Sequence, residues 1–132
     1  MNYYLSSYKF GSRIAELKDM VPFNNKLGHI NNTRDWVGSD PKRAEKHQLE
    51  EIEKLNSLGF DSEILDLREY FGKKNLLKRK IESLGSIWVS GGNTFILRQA
   101  MRLSGFDELM PEIRKREDFI YGGYSAGVCV LS

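Results

Sequence analysis

Ile87-Trp88-Val89-Ser90-Gly91-Gly92-Asn93-Thr94-Phe95 runs from an apolar stretch through two glycines into a segment of helical period. The apolar residues at 87–89 do not alternate with polar ones. That pattern is expected of a strand buried on both faces of a parallel sheet. Asn93 can cap a helix, and Ile96, Leu97, Ala100 and Met101 then recur at helical spacing until Ser104, where Gly105 supplies a left-handed stop. Strand, glycine turn and helix follow one another without a linker.

The same alternation extends in both directions. Upstream, strands are expected at 2–6, 27–30 and 64–67, with helices at 12–20 and 75–84, the latter closed by Gly85. The helix from 41 has the clearest bounds. Asp40 can cap it, and Pro41 suits its first position because proline lacks an N–H that would be unpaired there. Leu49, Ile52, Leu55 and Leu58 mark its expected inward face, and Gly59 its end. The polar stretch 31–39 reads as loop. Downstream come a short helix through Leu109 and Ile113 and a fifth strand at 119–121. This order predicts an α/β fold, a three-layer sandwich with a mostly parallel sheet and right-handed crossovers, in a single domain over 1–132.

Bulk properties narrow the function. The 132 residues, 40% hydrophobic, suffice for one core; a chain of this size buries roughly two-thirds of its unfolded surface. Twenty basic and 18 acidic residues leave a formal charge of +2, which gives no reason to expect a nucleic-acid partner. The densest basic cluster, Lys73-Lys74 and Lys78-Arg79-Lys80, reads as a solvated helix face. One cysteine, Cys129, excludes an internal disulfide, and together with the lack of a secretory segment it points to the cytoplasm. In the run Val128-Cys129-Val130-Leu131 a buried thiol is expected. No run is long enough to span a membrane. His29 and His47 are too far apart, with one cysteine, to suggest a metal site. His29 reads as a satisfied core or edge histidine, and His47 as solvated. No cofactor is implied.

The chemistry lies in two glycine loops. Gly123-Tyr124-Ser125-Ala126-Gly127 matches Gly-x-Ser-x-Gly and stands between a strand and an apolar segment fit to start a helix, the setting of a nucleophile elbow. There the serine hydroxyl projects from the carboxyl end of the sheet, and the N–H groups of the helix beginning at Ala126 point toward a developing oxyanion. Ser90-Gly91-Gly92-Asn93 has the same setting and suits an oxyanion hole, an anionic substrate group or a phosphate. Either loop alone can also be read as an ordinary tight turn, though the context of the first favours an elbow. Both fall at strand carboxyl ends, where open α/β sheets bind ligands, on strands that could be neighbours. Together they supply most of an acyl-transfer site.

Tyr4-Leu5-Ser6-Ser7, Ser90-Gly91-Gly92-Asn93-Thr94-Phe95 and Gly122-Gly123-Tyr124-Ser125-Ala126-Gly127, with the spacing between the last two, resemble the aspartyl dipeptidase (peptidase E) family, whose relatives include cyanophycinase. The resemblance spans essentially the whole chain. It implies a class I glutamine-amidotransferase-like fold and cleavage of small peptides with an N-terminal aspartate. By position it makes Ser125 the nucleophile, gives the oxyanion-hole N–H groups to Gly92 and Ala126, and sets Asn93 and Thr94 against the substrate. It also implies a catalytic histidine and acidic partner after the serine, beyond the seven residues that follow Ser125 here. Neither His29 nor His47 matches that position. The expectation is a chain without its base: truncated, naturally short, or completed in trans. The rival readings are a catalytically inactive module that binds peptides or a partner, and a nucleotide-binding module using Ser90–Asn93 without a P-loop lysine. The apolar run 128–131, on a helix too short to stand alone, leads to an expected homodimer.

Overall fold

A computed structural model of the chain describes residues 1–6, 10–34 and 40–131, with the backbone alone at Arg34. Among these residues five strands, β1 (Asn2–Ser6), β2 (Lys26–Ile30), β3 (Asp61–Ile64), β4 (Ser86–Val89) and β5 (Ile120–Tyr124), form one sheet in the order β1-β5-β4-β2-β3. Every pairing is parallel. Among the described residues six helices connect or follow the strands: α1 (Ile14–Met20), α2 (Pro41–Ser57), α3 (Lys74–Glu82), α4 (Thr94–Ser104), α5 (Phe106–Arg114) and α6 (Ala126–Cys129).

Side-chain alternation along the strands builds two cores. On one face Tyr4, Leu27, Trp88 and Tyr124 pack with Leu17 of α1 and Leu55 of α2. On the other, Ile30, Ile87, Val89 and Tyr121 pack with Leu77 and Ile81 of α3, Leu97 and Met101 of α4, and Phe106 and Leu109 of α5. The sheet is therefore the middle of three layers, as the strand–helix alternation predicts. β4 lies at its centre, and all four of its residues are buried. Its pairing with β5 aligns Val89 with Gly123, which sets the two glycine loops side by side.

Two strand boundaries and one helix face differ from expectation. The third strand is β3 at Asp61–Ile64, not 64–67. Being an edge strand it is polar and mostly exposed; Leu65 and Leu67 leave the sheet for the helical core, and the Asp66 carboxylate accepts from Arg68 N to cap a 3-10 turn at Leu67–Tyr70. β5 continues past Tyr121 through both glycines because β1 and β4 pair with it on either side, and the Trp88 ring fills the space where Gly122 would carry a Cβ. The inward face of α2 is rotated from the one expected: Leu49 is exposed, whereas Glu51 and Leu55 are buried. Within the expected loop at 31–39, Asn32–Arg34 forms a 3-10 turn, and 35–39 lie outside the described residues. The basic cluster faces solvent, with Lys74, Lys78 and Lys80 paired to Glu108, Glu112 and Glu63.

The Asp40 cap is formed as expected: its carboxylate accepts from Lys42 N at 3.0 Å and Arg43 N at 3.4 Å. Asp40→Ala leaves those donors to water, and the expected loss is about 1 kcal/mol of unfolding free energy, read as a lower urea midpoint at unchanged slope.

Candidate active site

Ser125 sits where β5 gives way to α6. Its backbone has φ 51° and ψ −111°, and it alone among the described non-glycine residues has a positive φ. Such a conformation costs on the order of 1–3 kcal/mol and persists only where the surroundings enforce it. They do so here. A Cβ at Gly123 would lie 2.7 Å from the Val89 carbonyl oxygen, and one at Gly127 would lie 2.5 Å from the same atom. The two glycines of Gly-x-Ser-x-Gly thus let the elbow close onto the end of β4. Tyr121, fully buried, donates its hydroxyl to the Gly127 carbonyl at 2.7 Å and ties α6 back to β5. Burial pushes the Tyr121 phenol well above its ordinary range, so it remains a neutral donor. Ser125 itself is exposed between buried Tyr124 and Ala126.

The second loop lies against this elbow. A Cβ on Gly91 would be 2.9 Å from Ser125 Cβ. On its other side the loop meets Thr33, whose hydroxyl donates to the Gly91 carbonyl at 2.9 Å and whose carbonyl accepts from Asn93 N at 3.1 Å. Asn93 caps α4 by accepting from Ile96 N, which leaves its amide NH2 group for other partners. Thr94, the first residue of α4, is half-buried. The N–H groups of Gly92 and Ala126 have no acceptor among the described residues. The fold therefore gathers Ser125, Gly92, Ala126, Asn93 and Thr94 at the carboxyl ends of two adjacent strands.

Beneath both loops lies a buried polar network. Glu51, 4% exposed, accepts from Ser90 Oγ at 2.5 Å and from His29 Nε2 at 2.8 Å, and its second oxygen is 3.6 Å from His47 Nε2. His47 Nε2 is also 3.2 Å from the Tyr124 hydroxyl. Gln48 Nε2 lies 3.3 Å from the His29 carbonyl, an obligate acceptor, so the amide donates there and also to His29 Nδ1 at 3.1 Å. Nδ1 is thus an acceptor and Nε2–H the donor to Glu51. Burial pushes the Glu51 carboxyl up, but the hydrogen bond and charge of His29, the hydrogen bond from Ser90 and the nearby His47 outweigh it and hold the group below the usual carboxylate range. Ser90, His29 and Glu51 do not form a second triad: Ser90 and Glu51 meet the same ring nitrogen, and both His29 and Ser90 are wholly buried.

His29 is thus the satisfied core histidine expected. His47 is not solvated: its side chain is 19% exposed because α2 turns it inward with Glu51 four residues on. Cys129 is exposed rather than buried; it is Val130 and Leu131, just after α6, that pack partly onto the core. Thr33 and Glu51 carry no mark in the sequence as site residues. The one available signal was the i, i+1, i+4, i+8 set His47, Gln48, Glu51, Leu55, which places a carboxylate on the buried stripe of α2. Among the described residues no group of three His, Cys, Asp or Glu side chains could hold a metal ion, and no helix is long and apolar enough to cross a membrane.

Two outcomes follow from this geometry. Ser125→Gly should raise the unfolding free energy by about 1 kcal/mol, because strain relief exceeds the entropy glycine adds to the unfolded chain, while Ser125→Ala should give no such gain; urea titration measures both. For Glu51 the folded pKa is lowered, so its stabilisation is present above the unfolded value near ~4.3 and is lost as pH falls through the folded one. The stability difference between wild type and Glu51→Gln should therefore be constant near neutrality and shrink below about pH 5. A difference independent of pH down to 2.5 would rule out an ionised Glu51.

The sequence and the fold both have known counterparts. Residues 42–132 match the model of Peptidase family S51. The fold is similar to a crystal structure of a protein from Listeria monocytogenes EGD-e, provisionally named a peptidase E, with TM-score 0.66 and 25% sequence identity over 96% of this chain. The chain spans 59% of the length of that protein. No curated protein matches the sequence. With most of its length matched by the family model, and with the strained serine where the elbow motif places it, the chain belongs to peptidase family S51.

Proposed function

We propose that this chain carries the nucleophile of a serine-type peptidase that acts on small peptides with an N-terminal aspartate. The observation that carries the reading is the strained, exposed Ser125, set between two loops whose Gly92 and Ala126 N–H groups have no acceptor among the described residues. Ser125 Oγ would attack the peptide carbonyl carbon as the carbonyl electrons move onto oxygen. Gly92 and Ala126 N–H groups would hold that oxyanion, which is worth most in a preorganised site. Collapse would expel the amine and leave an acyl-enzyme for water to cleave. Asn93, through its amide NH2 group, and Thr94 would bind the substrate. Membership of the family supports peptide hydrolysis, and the named counterpart supports the peptidase E type. A cysteine count of one is in keeping with a cytoplasmic setting.

Proton transfer from Ser125 needs a base. Among the described residues His29 bonds to Glu51, Gln48 and Ser90, and His47 contacts Glu51 and Tyr124; the Ser125 hydroxyl is in neither set. That observation favours a second reading, peptide binding without turnover, for the 132 residues acting alone. Removal of a triad member leaves on the order of 10³–10⁴-fold acceleration over water from the oxyanion hole and binding.

The expected result is barely detectable hydrolysis of aspartyl dipeptides by the purified chain, with Ser125→Ala lowering even that. Fast turnover unaffected by Ser125→Ala would refute the serine assignment. Stoichiometric acylation of Ser125 by an activated aspartyl ester, seen by mass spectrometry, would distinguish a competent nucleophile from a mere binding module.

A further inference from the structure

We propose that Thr33 is a positioning residue for the oxyanion hole, holding the Gly91–Gly92 peptide so that the Gly92 N–H faces the Ser125 side of the loop. The inference rests on the reading of Ser125 and Gly92 given above. Its basis is the geometry of one peptide unit. The described peptide bonds include no cis bond, so the Gly91 carbonyl and the Gly92 N–H point in opposite directions across a shared plane. The Gly91 carbonyl accepts the Thr33 hydroxyl at 2.9 Å. The Gly92 N–H is therefore turned away from Thr33.

What lies on that other side is the elbow. Gly91 abuts Ser125 and Tyr124, whereas Gly92 abuts Thr33, whose Cβ and Oγ1 would each be 2.8 Å from a Cβ at position 92. The loop is thus held between Thr33 and the nucleophile. A second bond closes the clamp beyond Gly92, where the Thr33 carbonyl accepts from Asn93 N at 3.1 Å. Gly92, with φ 148°, lies between two fixed points and has no side chain to restrain it. Without the hydroxyl the Gly91–Gly92 peptide is free to rotate about its flanking bonds, as glycine backbones readily do. Thr33 is itself wholly buried and well placed. Its neighbour Asn32 accepts from Leu67 N at 3.0 Å and donates to Asp66 at 2.9 Å, which anchors the 3-10 turn to the next segment of the chain.

The test uses the 132-residue chain with Thr33→Val, which keeps the β-branch and deletes only the donor, and Thr33→Ser, which keeps the donor. The probe is an alkyl fluorophosphonate. Its phosphorus bonds to Ser125 Oγ as fluoride leaves and the hydroxyl proton passes to water, and its phosphoryl oxygen occupies the oxyanion position. Thr33→Val should lower the saturating labelling rate about tenfold to a hundredfold with the half-saturating concentration unchanged. Thr33→Ser should return it to within about threefold of wild type, since the donor to the Gly91 carbonyl is restored. Crystal structures of both variants should show the Gly91 carbonyl rotated from its native direction in Thr33→Val alone. Should the valine variant not fold, Thr33→Ala, which adds no bulk, gives the same comparison. An unrotated peptide in the donorless variant would overturn the proposal, as would an unchanged labelling rate or a serine variant no better than valine. Wild-type chain that never labels at Ser125 would instead sink the serine reading, and the peptide orientation would still decide the role of Thr33.

Discussion

The end of β4 and the start of α6 meet at a single backbone atom, the Val89 carbonyl oxygen. Gly123 and Gly127 both approach it so closely that a Cβ on either would lie within 2.7 Å. This contact lets β5 turn sharply without moving away from its neighbour. The sharp turn in turn imposes φ 51° on Ser125 and lifts that residue into solvent between buried neighbours. The strain is sustained because β5 is paired on both sides and α6 is tied down at both ends, by Tyr121 on the Gly127 carbonyl and by Arg98 on the Cys129 carbonyl at 3.0 Å. A serine held this way cannot relax without unpairing the sheet.

The carboxylate of Glu51 is a second constraint, and it acts from below. A buried charge is costly unless hydrogen bonds and nearby charge compensate it. Here the compensation comes from Ser90, one residue before the Gly91-Gly92 pair, and from the two histidines, one of which also touches the Tyr124 hydroxyl next to Ser125. The same carboxylate therefore links α2 to the bases of both loops. An apolar side chain at 51 would fill the space but would leave Ser90 and His29 without their acceptor, and unpartnered buried donors are more damaging than the loss of one bond.

Much of the fold was legible because the signals are local. The β4–loop–α4 segment, the Asp40 cap, the glycine stops and the elbow all depend on residues within a few positions of one another. The strand at 64–67 was misplaced for the same reason: Leu65 and Leu67 look like strand residues in sequence, yet the edge of the sheet admits a polar strand, and the leucines are more useful to the helical core. The inward face of α2 was misread because burial of Glu51 depends on His29 and Ser90, 22 and 39 residues away. The surroundings of Cys129 and His47 were misjudged because a helix only a few residues long, or a single histidine among charges, carries no directional pattern.

By itself the sequence determined the order of strands and helices, the two glycine loops at strand ends, and the elbow at Ser125, since propensity, capping and close-approach glycines act over short chain distances. Tertiary structure alone decided that β4 and β5 are neighbours, that Thr33 reaches Gly91 across 58 residues, and that a buried carboxylate joins the two loops. Contacts of that span arise when whole faces of helices and strands are buried together, and no local preference encodes which distant side chain arrives.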